Sequence, residues 1–511
     1  ARRGGPSPPY ALGPIARAYH RRRESAVGPC RSSCRYFAES PRLRRRPFLL
    51  TLGGLRVVYA KVRYVSFIFQ GAAMRERKVI LRRCDEYEPS VIQGIIKEAM
   101  EELGEKPRGK ILIKPNIVTA NKQYIFDAYT HRDMMEAMVK VLRESYGAGD
   151  SITIGESGGI GLPTRMFFAE SDYDKLAKRL NVPLVDLNEE ELRTVSLKKA
   201  KLHKTMLMAK SLYEAEYKIW MPKLKFHIVV DFTNALKLNI GILSHKERFL
   251  YHDDRLHEKI VDLLEPGYPD LIVTDAITVG RGFESSPFPH HLGAVMISND
   301  PLAIDVVASK VMNYEPESVI YMREARDRGY GSLDMRDIVI TGDVGWEELA
   351  ERMKGVDSPF QDLQKLDTPI RFYEGTNKET GNICYGGCIC SIKGVMGTAD
   401  RRYEGNLKNA RKGAIVMGHY KGDVLHPNEP VVMVGTCAGV EGRLEAGKVV
   451  HIKGCPVKVA DLMIFGLRHF KMKSPAWDMR NLVLLIYHSI IKAFMQLTVP
   501  LRARAKIQRH A

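Results

Sequence analysis

Short apolar runs alternate with stretches of helical periodicity between residues 74 and 350. Several of the runs are apolar at every position, which is typical of strands covered on both faces of a sheet. In residues 133–145 the apolar positions recur at helical spacing, and Thr130 with Asp133 predicts a capping box at the helix start. The alternation predicts an α/β fold with a mostly parallel, doubly wound sheet in a domain spanning residues 74–350. The predicted strands are residues 79–81, 111–113, 152–154, 184–187, 228–230, 271–274, 294–297 and 338–340.

A second, smaller α/β domain that carries cysteines is predicted at residues 368–477, with strands at 414–417, 431–434 and 449–452. Residues 481–511 are predicted to form an apolar helix followed by a basic tail. His488, Lys492 and Gln496 share one face of that helix. Because Lys and His are costly near the centre of a membrane span, the pattern favours an amphipathic helix. Such a helix packs on the protein itself, on a partner protein or on a membrane surface.

The net charge of +18 is concentrated at one end of the 511-residue chain. Residues 1–73 hold fourteen Arg, one Lys and two Glu, which leaves only +5 for the rest of the chain. Because so mild an excess does not require a nucleic-acid partner, none is expected for the body. Residues 1–73 contain no Met and no Asp, and Met74 precedes the first predicted strand. We expect them to be a basic upstream extension outside the natural reading start, with a transit peptide or a nucleic-acid-binding arm as alternatives.

Cysteine usage indicates the compartment. Eight cysteines in a chain of this length do not indicate the disulfide scaffold of small secreted domains. No secretory signal peptide is evident, and the apolar stretch 57–69 is too short to span a bilayer. A reducing cytoplasm is therefore the expected location.

Four cysteines near the C-terminal end lie in three glycine-rich contexts that predict turns. Cys384 and Cys388 belong to Cys-Tyr-Gly-Gly-Cys, Cys437 to Gly-Thr-Cys-Ala and Cys455 to Gly-Cys-Pro. Turns of this kind can direct thiolates at one centre, which predicts a metal and most simply an iron–sulfur cluster of the 4Fe–4S type. Cys390 is a fifth thiol that could replace Cys388. Zinc and a set of reduced, half-buried thiols are the alternatives, although no histidine completes a zinc-like pair.

Polar residues follow the predicted strands where parallel sheets bind ligands, at the carboxyl ends. Lys114 and Asn116 follow the second strand, Glu156 follows the third, and Asp275 follows a later one. The glycine-rich loop 155–161 could hold an anion on its backbone N–H groups, although Glu156 would repel a phosphate. A tight structural turn is an equally good interpretation of this loop.

The densest polar stretch lies between residues 222 and 257 and contains Lys223, Lys225, His227 and Lys237. Lysines beside a strand end can hold an anionic ligand, and nearby histidines can act as bases or metal ligands. Lys and His are also common on solvated loops, so the prediction depends on the cluster rather than on any one residue.

The order of these motifs resembles the family called domain of unknown function 362, over residues 79–350. The motifs that carry the resemblance are Lys-Pro-Asn at 114–116, Thr-His131, Gly-Glu156-Ser, Pro-Lys223-Leu-Lys225-Phe-His227, Leu-Lys237-Leu-Asn, Asp275 after its strand, and Asp-Pro-Leu-Ala-Ile-Asp at 300–305. Members are often described as iron–sulfur centre proteins, and many are fused to ferredoxin-type modules, whose C-x-x-C-x-x-C-x-x-x-C run this chain lacks. The resemblance implies that one pocket is lined by Lys114, His131, Glu156, Lys223, His227, Lys237 and Asp275.

Three hypotheses follow from these observations. The first is an iron–sulfur protein that performs redox or Lewis-acid chemistry on a small anionic ligand, or that serves a redox partner protein, with His227, Glu156 and Lys237 as acid, base or metal-binding groups. The second is a non-redox isomerase or hydrolase with a divalent metal on Glu156, Asp275 and histidines. The third is a scaffold or assembly factor that docks through its C-terminal helix.

Overall fold

The structure is a computed structural model that describes residues 76–159 and 162–508, and only the backbone of Pro359 and of residues 499–508. The predicted basic extension at residues 1–73 lies outside the described residues. The helices and strands are numbered in chain order. The strands are β1 Lys78–Arg83, β2 Ile111–Pro115, β3 Ile152–Glu156, β4 Leu184–Asp186, β5 Leu192–Ser196, β6 Thr205–Ala209, β7 Tyr217–Met221, β8 Lys223–His227, β9 Asp231–Thr233, β10 Leu271–Arg281, β11 Phe288–Ser298, β12 Val339–Gly342, β13 Ile370–Glu374, β14 Gly413–Lys421, β15 Val424–Glu441 and β16 Leu444–Ile452. The α-helices are α1 Pro89–Glu102, α2 Arg132–Tyr146, α3 Thr164–Glu170, α4 Tyr173–Leu180, α5 Lys210–Glu214, α6 Ala235–Leu238, α7 Leu256–Asp262, α8 Pro301–Val311, α9 Ile320–Asp327, α10 Trp346–Arg352, α11 Cys390–Arg402, α12 Val459–Asp461 and α13 Met479–Gln508.

A ten-stranded, mostly parallel sheet forms the centre of the larger domain. Its main order is β12-β1-β11-β10-β7-β2-β3-β4, and β8 and β9 extend it from β10. Along β1, Val79 and Leu81 belong to one apolar core whereas Ile80 belongs to another. Because successive strand residues point to opposite faces, the two cores lie on the two faces of the sheet. The predicted doubly wound α/β architecture is confirmed.

One predicted strand and one predicted cap are wrong. Residues 228–230 form the turn between the antiparallel strands β8 and β9, and the strand is the preceding Lys223–His227 segment. Helix α2 is capped by His131, whose side chain accepts from the Asp133 N–H. Thr130 does not cap the helix, because its hydroxyl donates to the Met221 carbonyl at 2.5 Å and accepts from the Asn116 N–H.

The smaller sheet has the order β13-β14-β15-β16, and all of its strands are parallel. Two-residue connections join β14 to β15 and β15 to β16, whereas neighbouring parallel strands ordinarily need a long crossover. Here the chain winds in successive coils, so each strand pairs with the strand one coil away. Val431 pairs with Ala414 of the preceding coil and with Val449 of the following one. Each coil therefore repeats after 17 to 20 residues, as the pairs 414/431, 431/449 and 424/444 indicate.

Helix α13 lies with one face against the larger domain. Arg480 pairs with Glu170 at 2.7 Å, and Lys492 Nζ lies 2.7 Å from His245 Nδ1. His488, on the same face, is buried. Among the described residues, one stretch of this helix, Met479–Thr498, is long and apolar enough to cross a membrane.

Candidate functional site

The carboxyl ends of β2 and β3 bring Lys114 and Glu156 together as a buried ion pair. Lys114 Nζ lies 2.9 and 3.0 Å from the two Glu156 carboxylate oxygens. The same carboxylate accepts from the N–H groups of Ile117 at 2.9 Å and Ser157 at 2.8 Å. Burial lowers the pKa of Lys114, and Glu156 opposes that shift. The pair therefore neutralises two charges that neither residue could carry alone in the interior.

The glycine-rich loop after β3 serves packing rather than anion binding in its described part. The Ser157 N–H bonds Glu156, and the Gly158 N–H donates to the Thr164 hydroxyl at 3.2 Å. A Cβ atom at Gly159 would overlap the Val118 carbonyl, so only glycine fits there. These contacts favour the interpretation of a tight structural turn.

A second polar cluster surrounds Asp275, which lies in β10 just before its irregularity between Ala276 and Thr278. Lys223 Nζ lies 3.1 Å from the carboxylate, and the Tyr87 hydroxyl donates to it at 2.9 Å. The His131 N–H also donates to it at 2.9 Å, and the His131 ring stacks on Tyr87 with centroids 3.9 Å apart. Burial lowers the pKa of the His131 ring.

Lys225, in strand β8, hydrogen-bonds to residues that follow β2. Its Nζ donates to Asn116 Oδ1 at 2.9 Å and to the Ala128 carbonyl. No carboxylate lies within ion-pair distance of it among the described residues. Burial lowers the pKa of Lys225 to about 7. This ammonium therefore lies in the protein interior without a full counter-charge.

A polar cavity of about 50 Å³ is lined by Lys114, Asn116, Glu156, Lys225, Lys237, Arg248 and Glu284, among other residues. Lys237 is half-buried and makes no hydrogen bond or ion pair with any other described side chain. Burial lowers the pKa of Lys237 to about 8, with Glu284 opposing the shift. Arg248 donates to neutral acceptors, the Ser157 carbonyl at 2.7 Å and the Leu243 carbonyl at 3.0 Å. Four cationic side chains thus face two carboxylates, and the cavity carries excess positive charge.

His227 lies at the edge of this charge cluster in a defined protonation state. Its Nδ1 accepts from the N–H groups of Val229 at 3.1 Å and Val230 at 3.4 Å. The proton of the neutral ring is therefore on Nε2, which lies 3.8 Å from the Glu284 carboxylate. Burial lowers the pKa of His227 and raises that of Glu284.

A larger cavity of about 270 Å³ opens from the same cationic end. It shares Val118, Lys237, Ile240, Arg248 and Glu284 with the polar cavity, so the two are adjacent. Most of its remaining lining is apolar and includes side chains of α3, α11, α12 and α13.

The four predicted cluster cysteines converge beside this cavity. Cys437 and Cys455 are 18 residues apart, which matches one coil of the small sheet and places them at the same corner of adjacent coils. A Cβ atom at Gly435 would lie 2.9 Å from the Cys388 Sγ and 3.9 Å from the Cys437 Sγ. Burial raises the pKa of Cys384 to about 12, and the nearby Cys388 and Cys437 add to that shift.

The loop that carries Cys384 and Cys388 packs on the larger domain. His252 Nδ1 donates to the Gly386 carbonyl at 2.6 Å, and a Cβ atom at Gly386 would overlap the Asp253 carbonyl. Pro456, which follows Cys455, lines the 270 Å³ cavity. The cysteine group and the cavity therefore share a wall.

No group of three or more His, Cys, Asp or Glu side chains lies close enough to hold a single metal ion within residues 76–159 and 162–508. Glu156 and Asp275 are each engaged by a lysine in separate clusters. The divalent-metal set predicted from Glu156, Asp275 and histidines is thus not assembled in the described structure.

Residues 111–310 match the model of the family described as domain of unknown function (DUF362). The chain contains a DUF362 domain. The family resemblance predicted from the sequence is confirmed over residues 111–310, and the match ends before the cysteine-bearing segment.

Two known proteins are similar to parts of this chain. The thylakoid-associated protein sll1697 of Synechocystis sp. is 25% identical over 261 residues, which cover 48% of this chain and 77% of that protein. The lactate racemase apoprotein from Thermoanaerobacterium thermosaccharolyticum is 13% identical, with a TM-score of 0.30 over 47% of this chain and 59% of that one.

Within the DUF362 domain, the predicted site residues fall into two groups. One group lines the two adjacent cavities and comprises Lys114, Asn116, Glu156, Lys225, His227 and Lys237. The other group, His131, Lys223 and Asp275, lies around Tyr87 and lines neither cavity. Arg248 and Glu284 line both cavities but were not predicted, since both stand in loops, Arg248 within the polar stretch 222–257 and Glu284 outside any motif.

Proposed function

We propose that this protein binds an iron–sulfur cluster and performs redox or Lewis-acid chemistry on a small organic anion held in the DUF362 domain. The observation that carries the proposal is the convergence of cysteines from three separate segments, one of them strand β15, beside a cavity with excess positive charge. We place the protein in a reducing compartment, where such thiols persist.

The donor set suits an iron–sulfur cluster better than a single ion. The ligands would be Cys384, Cys388, Cys437 and Cys455, and thiolates favour zinc or iron–sulfur centres. Zn–S bonds of about 2.3 Å require sulfurs within roughly 4 Å of each other, whereas a cluster of several irons and sulfides separates its ligands further. The absence of a single-ion group among the described residues is therefore compatible with a cluster.

The surroundings favour Cys388 over Cys390 as the fourth ligand. Burial raises the pKa of Cys388 to about 11, and the further contributions that raise it come from Cys437 and Cys455. Burial also raises the pKa of Cys390, but its charged neighbours are Glu284, Lys237 and Lys393, and it lines the cavity.

When bound, the cluster would supply an electron or a Lewis-acidic iron beside the cavity. The ammonium of Lys237 and the guanidinium of Arg248 would hold the anionic group of the ligand, because neither has a carboxylate partner at ion-pair distance among the described residues. His227 carries its proton on Nε2 and would donate a hydrogen bond from that nitrogen to a ligand near Glu284.

Anaerobic purification of the full chain tests the cluster. We expect a brown protein with about four irons and four sulfides per chain, as cubane ligation by four cysteines implies. Cys437→Ser should abolish the visible absorbance. Cys84→Ser changes a buried thiol directly after β1 and should leave the absorbance unchanged. Cys390→Ser should also leave the absorbance unchanged. A colourless native protein without iron would overturn the proposal, and stoichiometric zinc would favour a non-redox role.

We also propose that α13 attaches the protein to an anionic membrane surface. Its outer face is an apolar stripe, with exposures of 52% to 72%, formed by Val483, Ile486, Tyr487, Ile490, Phe494 and Leu497. Trp477 precedes the helix and is 61% exposed, and aromatic residues favour the membrane interface. Arg502, Arg504, Lys506 and Arg509 follow in the sequence and suit anionic lipid. A relative named as thylakoid-associated supports this proposal.

The inner face of α13 favours attachment over spanning, because Arg480 and Lys492 are engaged by the larger domain. Sedimentation of the full chain with vesicles of equal phosphatidylcholine and phosphatidylglycerol tests it. We expect binding that weakens with salt and falls about tenfold or more in the double variant Ile490→Glu, Phe494→Glu. Val91→Glu, at an exposed apolar position of α1, is the matched control. Equal binding by all three proteins, or no binding, would contradict the proposal.

A further inference from the structure

The two adjacent cavities differ in chemical character. The cationic end is the polar cavity of about 50 Å³, which has room for little more than a charged head group. The other end is the cavity of about 270 Å³, close to the lower end of the volumes that hold small organic ligands, about 300 Å³. A molecule that filled both would need a charged end and an uncharged body.

The wall of the larger cavity offers few free polar groups. Its apolar surface comes from side chains that include Met166, Phe167, Phe283, Met463, Leu482 and Leu485. The two amides in the wall satisfy each other, since Asn121 Nδ2 donates to Asn481 Oδ1 at 2.9 Å. An apolar body placed here would therefore cover mainly carbon atoms rather than free amides.

The cationic end, in contrast, lacks counter-charge. Lys237 has no hydrogen-bond or ion-pair partner among the described residues, and Arg248 donates only to uncharged oxygens. Glu284 acts electrostatically on Lys237 and also on Lys225, and it lies 3.8 Å from His227 Nε2. A ligand anion at this point would supply the missing negative charge in a setting of low dielectric.

We propose that the site takes an amphipathic organic anion, with a carboxylate or phosphate head on Lys237 and Arg248 and an unbranched or cyclic apolar body in the 270 Å³ cavity. This inference rests on the proposed anion-binding function but not on the iron–sulfur cluster. The cavity wall formed by α13 residues Leu482 and Leu485 lies on the helix that carries the outer apolar stripe. A ligand of this class would partition into the same membrane surface that the helix contacts.

Calorimetric titration of the full chain with butanoate, hexanoate, octanoate and decanoate tests the apolar part of the site. Each added methylene should strengthen binding about fourfold until the cavity is filled. Octan-1-ol, with the same body and no charge, should bind at least tenfold more weakly than octanoate. Octyl phosphate is compared with octanoate, and whichever of the two binds more tightly identifies the head group.

Two variants separate the two ends of the site. Ala460→Leu adds bulk to the lining of the large cavity and should weaken decanoate about tenfold or more while leaving butanoate unchanged. Lys237→Met should remove the preference for octanoate over octanol. Ala493→Leu, at an exposed position of α13, is the control for added bulk and should change neither ligand.

The outcomes separate this inference from the proposed function. Anion binding that does not depend on chain length would overturn the amphipathic ligand and leave the anion site standing. Binding of no carboxylate and no phosphate would overturn both. Loss of the cluster in Cys437→Ser with unchanged octanoate binding would support the inference, because the binding site would then be independent of the metal centre.

Discussion

Glu156→Gln is expected to lower the free energy of unfolding by about 3–5 kcal/mol at pH 7, because it leaves the buried Lys114 ammonium without its counter-charge. Lys114 is fully buried and Glu156 is 3% exposed, so water cannot replace the lost carboxylate. The amide would also turn an N–H group toward one of the two backbone N–H groups that the carboxylate accepts from, those of Ile117 and Ser157. Urea denaturation of both proteins measures the difference.

A matched control and a double variant test the cause. Glu351→Gln breaks an exposed pair with Lys354 and should change the unfolding free energy little. The double variant Lys114→Met, Glu156→Gln should be more stable than Glu156→Gln alone, since it removes the uncompensated charge as well. Equal losses in the single and double variants would contradict the electrostatic explanation.

The pH dependence of Glu156→Gln gives a second test of the same pair. Burial already lowers the pKa of Lys114 below its value in the unfolded chain, and removal of Glu156 removes the group that opposes this shift. A lowered folded-state pKa means that the unfolded state binds more protons, so stability rises as pH rises toward the unfolded value. The deficit of Glu156→Gln should therefore shrink between pH 7 and pH 10. A constant deficit would indicate lost packing instead.

The sheet could be predicted because its strands are continuous apolar runs, but the buried lysine strand could not. Lys223 and Lys225 give β8 the polar pattern of a solvated segment, whereas the apolar run that follows predicts the strand at residues 228–230. Both lysines can be buried because tertiary partners accept their hydrogen bonds, Asp275 for Lys223 and Asn116 for Lys225. Such partners come from distant parts of the chain, so no local sequence pattern predicts them.

The sequence pattern also does not predict the coiled path of the chain in the small sheet. The strands were found, but the period of 17 to 20 residues that stacks them was not. That period explains why Cys437 and Cys455 meet at one corner, a convergence that was expected only from glycine-rich turns. In the larger domain, the rule that strand ends converge placed Lys114 beside Glu156 correctly. It could not place Arg248 or Glu284, which reach the site from loops.

Binding of octanoate to the full chain is expected to weaken about 50-fold between pH 8 and pH 10. Burial lowers the pKa of Lys237 to about 8, so above that pH the ammonium that would hold the carboxylate loses its proton. Each further pH unit then costs about tenfold in affinity, since binding requires the protonated form. The affinity is therefore greatest below pH 8 and falls as pH rises. Titration calorimetry over this range measures the slope.

The other ionisable groups around Lys237 change the pH dependence of binding little. Those that titrate in this range also weaken binding as pH rises. Burial lowers the pKa of Lys225 to about 7, so loss of its charge begins to weaken binding below pH 8. Glu284 has a pKa raised by burial, and its ionisation as pH rises works in the same direction. Arg248 keeps its charge until about pH 10, and the Cys390 thiol stays protonated because burial raises its pKa to about 12. His227 is neutral throughout, because burial lowers its pKa.

Lys237→Arg identifies the titrating group, because a guanidinium keeps its proton across the whole range. That variant should bind octanoate with nearly the same affinity at pH 8 and pH 9, where wild-type binding already falls. In the wild-type protein, binding near pH 8.5 should take up a proton at Lys237, which calorimetry in buffers of different ionisation enthalpy detects. A slope that persists unchanged in Lys237→Arg would assign the titration to another group and remove Lys237 from the head-group site.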